Sequence, residues 1–167
     1  MTGRFSAVMR IGHGYDSHRF DATRQLVLGG VHIPGVPGLK GHSDADVVVH
    51  AIIDALLGAA ALGDIGGHFP DDDPRWAGAD SMKLLAAVVS ELHKACFRVG
   101  NIDATVICER PKLRPHVDAM RRKIAEALGV SLDRVSIKGK TNEGMDAVGA
   151  GEGIAVHCVA LLEEESA

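Results

Sequence analysis

Residues 45–62 spell a helix that is apolar around nearly its whole circumference and carries one polar line, Asp46, His50 and Asp54. Residues four apart stack on one helical face. A helix this apolar must be buried, so the rest of the chain has to supply a sheet or further helices to cover it. Ionisable groups on a buried helix are costly unless paired, hydrogen-bonded or metal-bound. The polar line is therefore expected to face a site, with Asp46 or Asp54 orienting His50. Upstream, Gly14-Tyr15-Asp16-Ser17-His18 reads as strand, and alternate strand residues project to the same side, which groups Asp16 with His18. One carboxylate and one imidazole from a strand, with a second imidazole from a helix, match the three-ligand layout of a catalytic zinc site with its open fourth position. The plainer alternative is that Asp-x-His is a surface pair and a single helical histidine is structural; the polar line favours the metal.

Bulk properties narrow the classes. The 167 residues suit one domain, with residues 1–9 as a short extension before the first strand. The net charge of -4 excludes a general nucleic-acid binder but leaves room for a phosphorylated substrate, since local cations override the global sign. Asp46, His50 and Asp54 interrupt the best candidate for a membrane span, so no membrane partner is expected. Cys96, Cys108 and Cys158 form no CxxC pair and read as small buried residues in a reducing compartment.

The elements expected along the chain are a strand over 10–16, two short strand pieces around Gly29-Gly30, and a Gly/Pro-rich loop over 34–41. The apolar helix follows, capped by Ser43 or Asp44 and ending near Gly58 or Gly63. A loop over 64–78, a helix over 79–96 and a strand over 99–108 come next. A helix over 115–128 ended by Gly129, strands over 135–138 and 154–162, and an acidic tail complete the chain. The order does not alternate regularly, which predicts an α+β fold: a mixed β-sheet covered on one face by three main helices. The uncovered surface points to a closed homo-oligomer.

Four further segments carry chemistry. Gly41-His42-Ser43-Asp44-Ala45 resembles a nucleophile elbow with one substitution, so a serine hydrolase using Ser43 is a rival; the preceding turn and the short chain weigh against it, and helix capping accounts for the same residues. The acidic loop 64–73 has oxygen ligands for a hard cation but lacks the pattern of a calcium hand; its residues alone favour a solvated turn region. Residues 109–116 gather Arg110, Lys112 and Arg114 between prolines, as a surface turn or as a contact for a base or phosphate. In residues 138–144, Lys140 and Thr141 suit phosphate and Glu143 suits Mg²⁺, although the upstream glycine of a P-loop is missing.

Taken together, residues 10–18, 41–46 with His50, 62–66, 69–74, 110–112 and 140–143 are similar to the 2-C-methyl-D-erythritol 2,4-cyclodiphosphate synthase family of the non-mevalonate isoprenoid pathway. The resemblance runs from Arg10 to Leu162. It implies a homotrimer with three active sites between neighbouring subunits, Zn²⁺ on Asp16, His18 and His50, and Mg²⁺ or Mn²⁺ on the substrate diphosphate with Glu143. It implies that His42 and Thr141 position phosphates in the transition state. The loop carrying Asp64, Ile65, Gly66, Phe69, Asp71 and Asp73 would hold the methylerythritol phosphate, and Cys108, Arg110, Pro111, Lys112, Leu113 and Arg114 the cytidine diphosphate. Ser43, Lys140 and Asn142 would complete the substrate contacts. The implied reaction converts 4-diphosphocytidyl-2-C-methyl-D-erythritol 2-phosphate to the 2,4-cyclodiphosphate with release of CMP. That is a phosphorus–oxygen lyase, in the bacterial cytoplasm or, after removal of a transit peptide, the plastid stroma; the bacterial cytoplasm is favoured. One departure stands out. Many members have an aromatic residue and an arginine where this chain has Ala147 and Ala150, so the arginine contact to an anionic or isoprenoid ligand on the trimer axis is missing. A non-enzymatic alternative is a trimeric, metal-stabilised protein that binds cytidine diphosphate without releasing CMP.

Overall fold

The computed structural model describes residues 8–165. Most of the expected N-terminal extension lies outside them, and Met9 already belongs to the first strand. That strand, β1 (Met9–Leu28), is long and serves two neighbours. Residues 9–19 pair with β5 (Gly153–Glu164), and residues 20–28 form a hairpin with β2 (Val31–Leu39). The sheet is completed by β3 (Phe97–Ile107) and β4 (Val135–Lys140), in the order β2-β1-β5-β3-β4. All neighbours are antiparallel except β3 and β4, which run parallel. The helices are α1 (Val47–Ala60), the one-turn α2 (Ile65–His68), α3 (Ser81–Lys94), α4 (Val117–Leu128) and the one-turn α5 (Asp146–Gly149). The mixed sheet with three main helices on one face is as expected.

Segment 34–41 was expected to be a loop, but most of it is β2. Its prolines are tolerated because β2 is an edge strand with one side unpaired, and a register shift between Asp21 and Gln25 in β1 accommodates the irregularity. The expected loop 64–78 holds α2 and a short 3-10 turn (Pro74–Trp76). Neither Ser43 nor Asp44 caps α1: the cap is Asp46, whose carboxylate accepts the Val49 N–H at 3.1 Å. The helix ends at left-handed Ala61, with φ of 57°, and not at a glycine. Cys108 and Cys158 are buried as expected; Cys96 is exposed.

Contact between α1 and the sheet explains a stretch of sequence that hydrophobicity alone does not. A Cβ at Gly12 would lie 1.9 Å from the Ala55 carbonyl oxygen, and one at Gly14 1.9 Å from that of Ala51. Helix and strand backbones therefore touch, with alanines on one side and glycines on the other, and Asp16 and His18 follow on the same strand face. Val48, Ile52, Ile53, Leu56 and Leu57 are fully buried, each contributing about 1.5–3 kcal/mol. Among the described residues nothing covers the opposite face of the sheet, which is partly apolar, with Ile11 73%, Tyr15 51% and Val159 44% exposed.

Candidate metal centre and flanking cavities

At the edge of the α1 contact, β1 delivers Asp16 and His18 and α1 delivers His50. The Asp16 Oδ2 lies 2.9 Å from His18 Nε2 and 3.1 Å from His50 Nδ1, and one ligand atom from each of the three residues falls within 4.8 Å of the others. Ligand atoms on a tetrahedral zinc ion stand about 3.3 Å apart, given bonds of about 2.0–2.1 Å, so the spacing fits. The protonation pattern fits as well. His18 Nδ1 is 2.6 Å from the Lys40 carbonyl oxygen; a carbonyl only accepts, so Nδ1 carries the hydrogen and Nε2 turns its lone pair to the cluster. Burial opposes ionisation of Asp16, but the two imidazoles beside it, His18 and His50, outweigh that and hold the carboxyl well below the usual carboxylate range. Burial also opposes a charge on His18, yet Asp16 raises its pKa. An oxygen and two nitrogens converging on one point, with a carbonyl steering one ring from behind, is the donor set of a borderline divalent cation.

The polar line of α1 does not act as one unit. Asp46 is fully buried and accepts the N–H groups of Gly29 at 2.9 Å and Gly30 at 2.7 Å as well as that of Val49. Both glycines have positive φ, 57° and 72°, as a tight hairpin requires. Asp54 accepts the Ile65 N–H at 2.7 Å and anchors α2. Neither carboxylate touches the His50 ring. Besides Asp16 on Nδ1, the groups that do are Ser81 Oγ at 2.9 Å and Ser43 Oγ at 3.1 Å, both from His50 Nε2.

A cavity of about 190 Å³ opens beside the cluster, lined by Asp16, His18, His42, Ser43 and His50 on its polar side and by Ile65, Gly66, Phe69, Asp71, Trp76 and Leu84 around the rest. The Arg24 guanidinium donates to the Gly41 and Ser43 carbonyls and so fixes the segment bearing His42. Two of the expected ligand contacts have other partners. The Asp64 carboxylate caps α2 through Gly67 N–H at 2.9 Å, and that of Asp73 caps the 3-10 turn and pairs with Arg75 at 2.6 Å. Trp76 and Leu84 went unnoticed in the sequence, where they read as ordinary apolar residues; only the folding of 64–78 over α3 turns them to the cavity.

A larger cavity, about 690 Å³, lies at the ends of β3 and β4, lined by Cys108, Glu109, Pro111, Lys112, Leu113, Arg114, Val117, Asp118, Ile137, Gly139, Lys140 and Thr141. Arg110 is not part of its wall. Burial and the Glu109 charge push the Cys108 thiol up to about 11, which keeps it protonated. Thr141 Oγ1 donates to Glu143 Oε1 at 3.0 Å, and Asn142 N–H donates to Glu109 Oε1 at 2.8 Å. Ser17, Ala155, Ile107 and Lys140 lie at one level of the sheet, one residue from His18. Strands β1 and β4 are three spacings apart, roughly 14 Å, so within one chain Thr141 and Glu143 do not join Asp16, His18 and His50.

Fold and cluster together define the class: an α+β domain with three side chains able to hold a cation at the mouth of a small cavity and a separate basic cavity along the same sheet end. The YgbB family profile matches residues 9–163. The protein named 2-C-methyl-D-erythritol 2,4-cyclodiphosphate synthase in Trichlorobacter lovleyi is 58% identical over 154 residues, covering 92% of this chain and 98% of its own. That of Brachyspira hyodysenteriae is 54% identical over 156 residues, covering 93% and 99%. Among solved structures, Plasmodium falciparum IspF in complex with CDP superposes with a TM-score of 0.83 at 31% identity, covering 96% of this chain and 99% of that one. The bifunctional IspDF of Campylobacter jejuni superposes with a TM-score of 0.92 at 40% identity; it covers 95% of this chain, which spans 43% of the length of that protein. The chain belongs to the YgbB family, whose members here are 2-C-methyl-D-erythritol 2,4-cyclodiphosphate synthases. Its activity is that of a phosphorus–oxygen lyase of non-mevalonate isoprenoid biosynthesis.

Proposed function

We propose that the chain folds 4-diphosphocytidyl-2-C-methyl-D-erythritol 2-phosphate into a ring between two subunits and releases CMP. The observation that carries this reading is the convergence of Asp16, His18 and His50 at a cavity mouth in a chain of this family. An oxygen of the substrate's own 2-phosphate attacks the β-phosphorus, the bond from that phosphorus to the CMP oxygen breaks, and CMP leaves with the electron pair. No protein nucleophile is needed, and the protein's task is positioning and charge. Aligning the two ends of a flexible molecule can be worth up to roughly 7–11 kcal/mol.

Zn²⁺ on Asp16, His18 and His50, with Mg²⁺ or Mn²⁺ bound through Glu143, would supply Lewis-acid polarisation of the phosphoryl oxygens. Around them the side chains divide the substrate. Ile65, Gly66, Phe69 and Asp71 take the methylerythritol phosphate, with Ser43 and His42 at its phosphate and Asp64 and Asp73 shaping the loop from their caps. Lys112, Arg114 and Lys140 offset the diphosphate, and Pro111 and Leu113 pack on the nucleoside. Arg110, Thr141 and Asn142 act at the rim, Thr141 on a phosphate oxygen. A homotrimer brings the larger cavity of one subunit to the metal cluster of its neighbour. Supporting this are the roughly 14 Å between the two half-sites in one chain and the bare sheet face bearing Ile11, Tyr15 and Val159. The three free thiols suit a reducing compartment such as the bacterial cytoplasm.

A second reading has one observation in its favour: Ser43 Oγ, His50 and Asp16 form a hydrogen-bonded chain of 3.1 Å and 3.1 Å, the layout of a serine hydrolase triad. Against it, Ser43 lies in a bend beyond the end of the edge strand β2 and not at a sharp strand-to-helix elbow of a central strand, and its oxygen also accepts the Ala45 N–H. Phosphorus NMR of the substrate incubated with protein separates the readings. The lyase yields CMP and cyclic diphosphate in equal amounts, loses both on chelation, and is indifferent to a serine-directed phosphonate. A hydrolase shows the reverse sensitivities, and a binding protein releases no CMP. Light scattering at three times 17.6 kDa supports the trimer; a monomer in active protein overturns the shared site.

A further inference from the structure

We propose that Asp44 and Ser81, neither of them in the cavity's substrate wall, are positioning residues that set His50 for the cation. The inference rests on the metal reading above. Ser81 opens α3 and is fully buried. Its hydroxyl donates to Asp44 Oδ1, and its N–H donates to Asp44 Oδ2 at 3.0 Å. A serine hydroxyl has a single hydrogen; with that hydrogen on Asp44, the oxygen can only accept from His50 Nε2, 2.9 Å away. His50 therefore carries its hydrogen on Nε2 and turns the Nδ1 lone pair toward Asp16 and His18. The Lys40 carbonyl imposes the complementary tautomer on His18 from the other side. The two rings thus present lone pairs from different nitrogens to one point.

Ser43 does not do the same work. Its oxygen is farther from Nε2, at 3.1 Å, accepts the Ala45 N–H at 3.2 Å, and has no carboxylate behind it. Asp44 is held on several sides: its own N–H bonds the Ala79 carbonyl at 3.0 Å, and its Oδ1 accepts the Asp46 N–H at 3.2 Å. A fixed negative charge behind the hydroxyl makes the imidazole a more basic ligand, as an outer-shell carboxylate does when bonded directly to a metal-bound histidine.

The test uses metal-stripped full-length protein and Zn²⁺ in competition with a chelator, with ¹⁵N NMR of the His50 ring read in the absence of metal. Ser81→Ala and Asp44→Asn should weaken Zn²⁺ binding by about 10–100-fold and shift the metal-free His50 ring from the Nε2–H form to a mixture of tautomers. Ser43→Ala should leave the tautomer as it is. Ser81→Ala added to His50→Ala should change Zn²⁺ binding no further. If Ser81→Ala does not fold, Asp44→Asn, which keeps the shape of the side chain, carries both readouts. An unchanged tautomer with Zn²⁺ affinity within about twofold of the parent in the folded variant overturns the relay. Absence of Zn²⁺ binding in the parent overturns instead the metal reading, and the ring tautomer still decides the relay.

Discussion

Asp46 and His50 lie one turn apart on the same line of α1, and the groups that meet them differ in kind. Asp46 meets three backbone N–H groups and is fully buried, out of reach of a ligand. His50 meets only side chains, a carboxylate and two hydroxyls, beside an open cavity. The spacing of polar residues on a buried helix tells which strip of surface they occupy. Their role depends on what the opposing segment brings: main-chain amides saturate a carboxylate and make it a lock, whereas side chains with spare lone pairs make a site.

Crossing two substitutions tests this division, and the largest effect is expected at His50. His50→Ala should lower CMP release by at least about a thousandfold, equivalent to roughly 4 kcal/mol, and empty the zinc site. The metal-free protein should lose no more than about 1–2 kcal/mol of stability, read from its denaturant midpoint. Asp46→Asn should behave in the opposite way. A carboxamide has one acceptor oxygen and turns an NH₂ toward amides that already donate, so one or two buried N–H groups lose their partner. The cost is about 3 kcal/mol, with zinc content per folded subunit unchanged. Zinc lost from a stably folded Asp46→Asn protein would show that both residues serve the site.

Titration sharpens the same contrast by a comparable amount. Burial pushes the Asp46 carboxyl up to about 6 from its ordinary 3.8, against the pull of the Gly30, Gly29 and Val49 amides. Between these values the folded protein holds more protons than the unfolded chain, so this residue's contribution is full below pH 3.8 and is lost as pH rises toward about 6. The loss amounts to up to about 3 kcal/mol. The raised pKa of His18 acts in metal-free protein only above 6.5, and the depressed one of Asp16 only below 3.8. Chemical denaturation of metal-free protein at pH 4 to 6 should therefore show a fall in stability with rising pH that Asp46→Asn reduces, leaving the part contributed by the raised pKa of Asp54.

Much of this was legible before the fold was known, because the signals were chemical. Asp16, His18 and His50 stood out as ligand types at strand and helix spacing, and the buried helix required a covering sheet. What stayed hidden depended on partners distant in sequence. Ser81 looks like one more helix-opening serine until α3 is laid beside α1, and nothing about Asp46 announces that the Gly29-Gly30 turn will reach it. The prolines of 34–41 suggest a loop because sequence gives no sign that this segment lies at a sheet edge. Left-handed Ala61 defeats any rule that seeks a glycine at a helix end.

Asp54 occupies a middle position between lock and site, and the smallest of these effects follows from it. Burial raises its pKa, opposed by the Ile65 N–H, and that single hydrogen bond of 2.7 Å is its link to α2. The residues it holds, Ile65 and Gly66, line the cavity next to Asp16, His18 and His50. Asp54→Ala removes one acceptor for an amide that water can reach in part, so stability should fall by only about 1 kcal/mol. The functional consequence is of another kind: α2 loses its tether, and the wall assigned to the methylerythritol phosphate becomes less ordered. KM for the substrate should rise by about three- to tenfold while kcat changes less, since the metal ligands and the attacking geometry beyond the wall are untouched. A fall in kcat equal to that of His50→Ala would place Asp54 with the site after all, and an unchanged KM would make it a second lock.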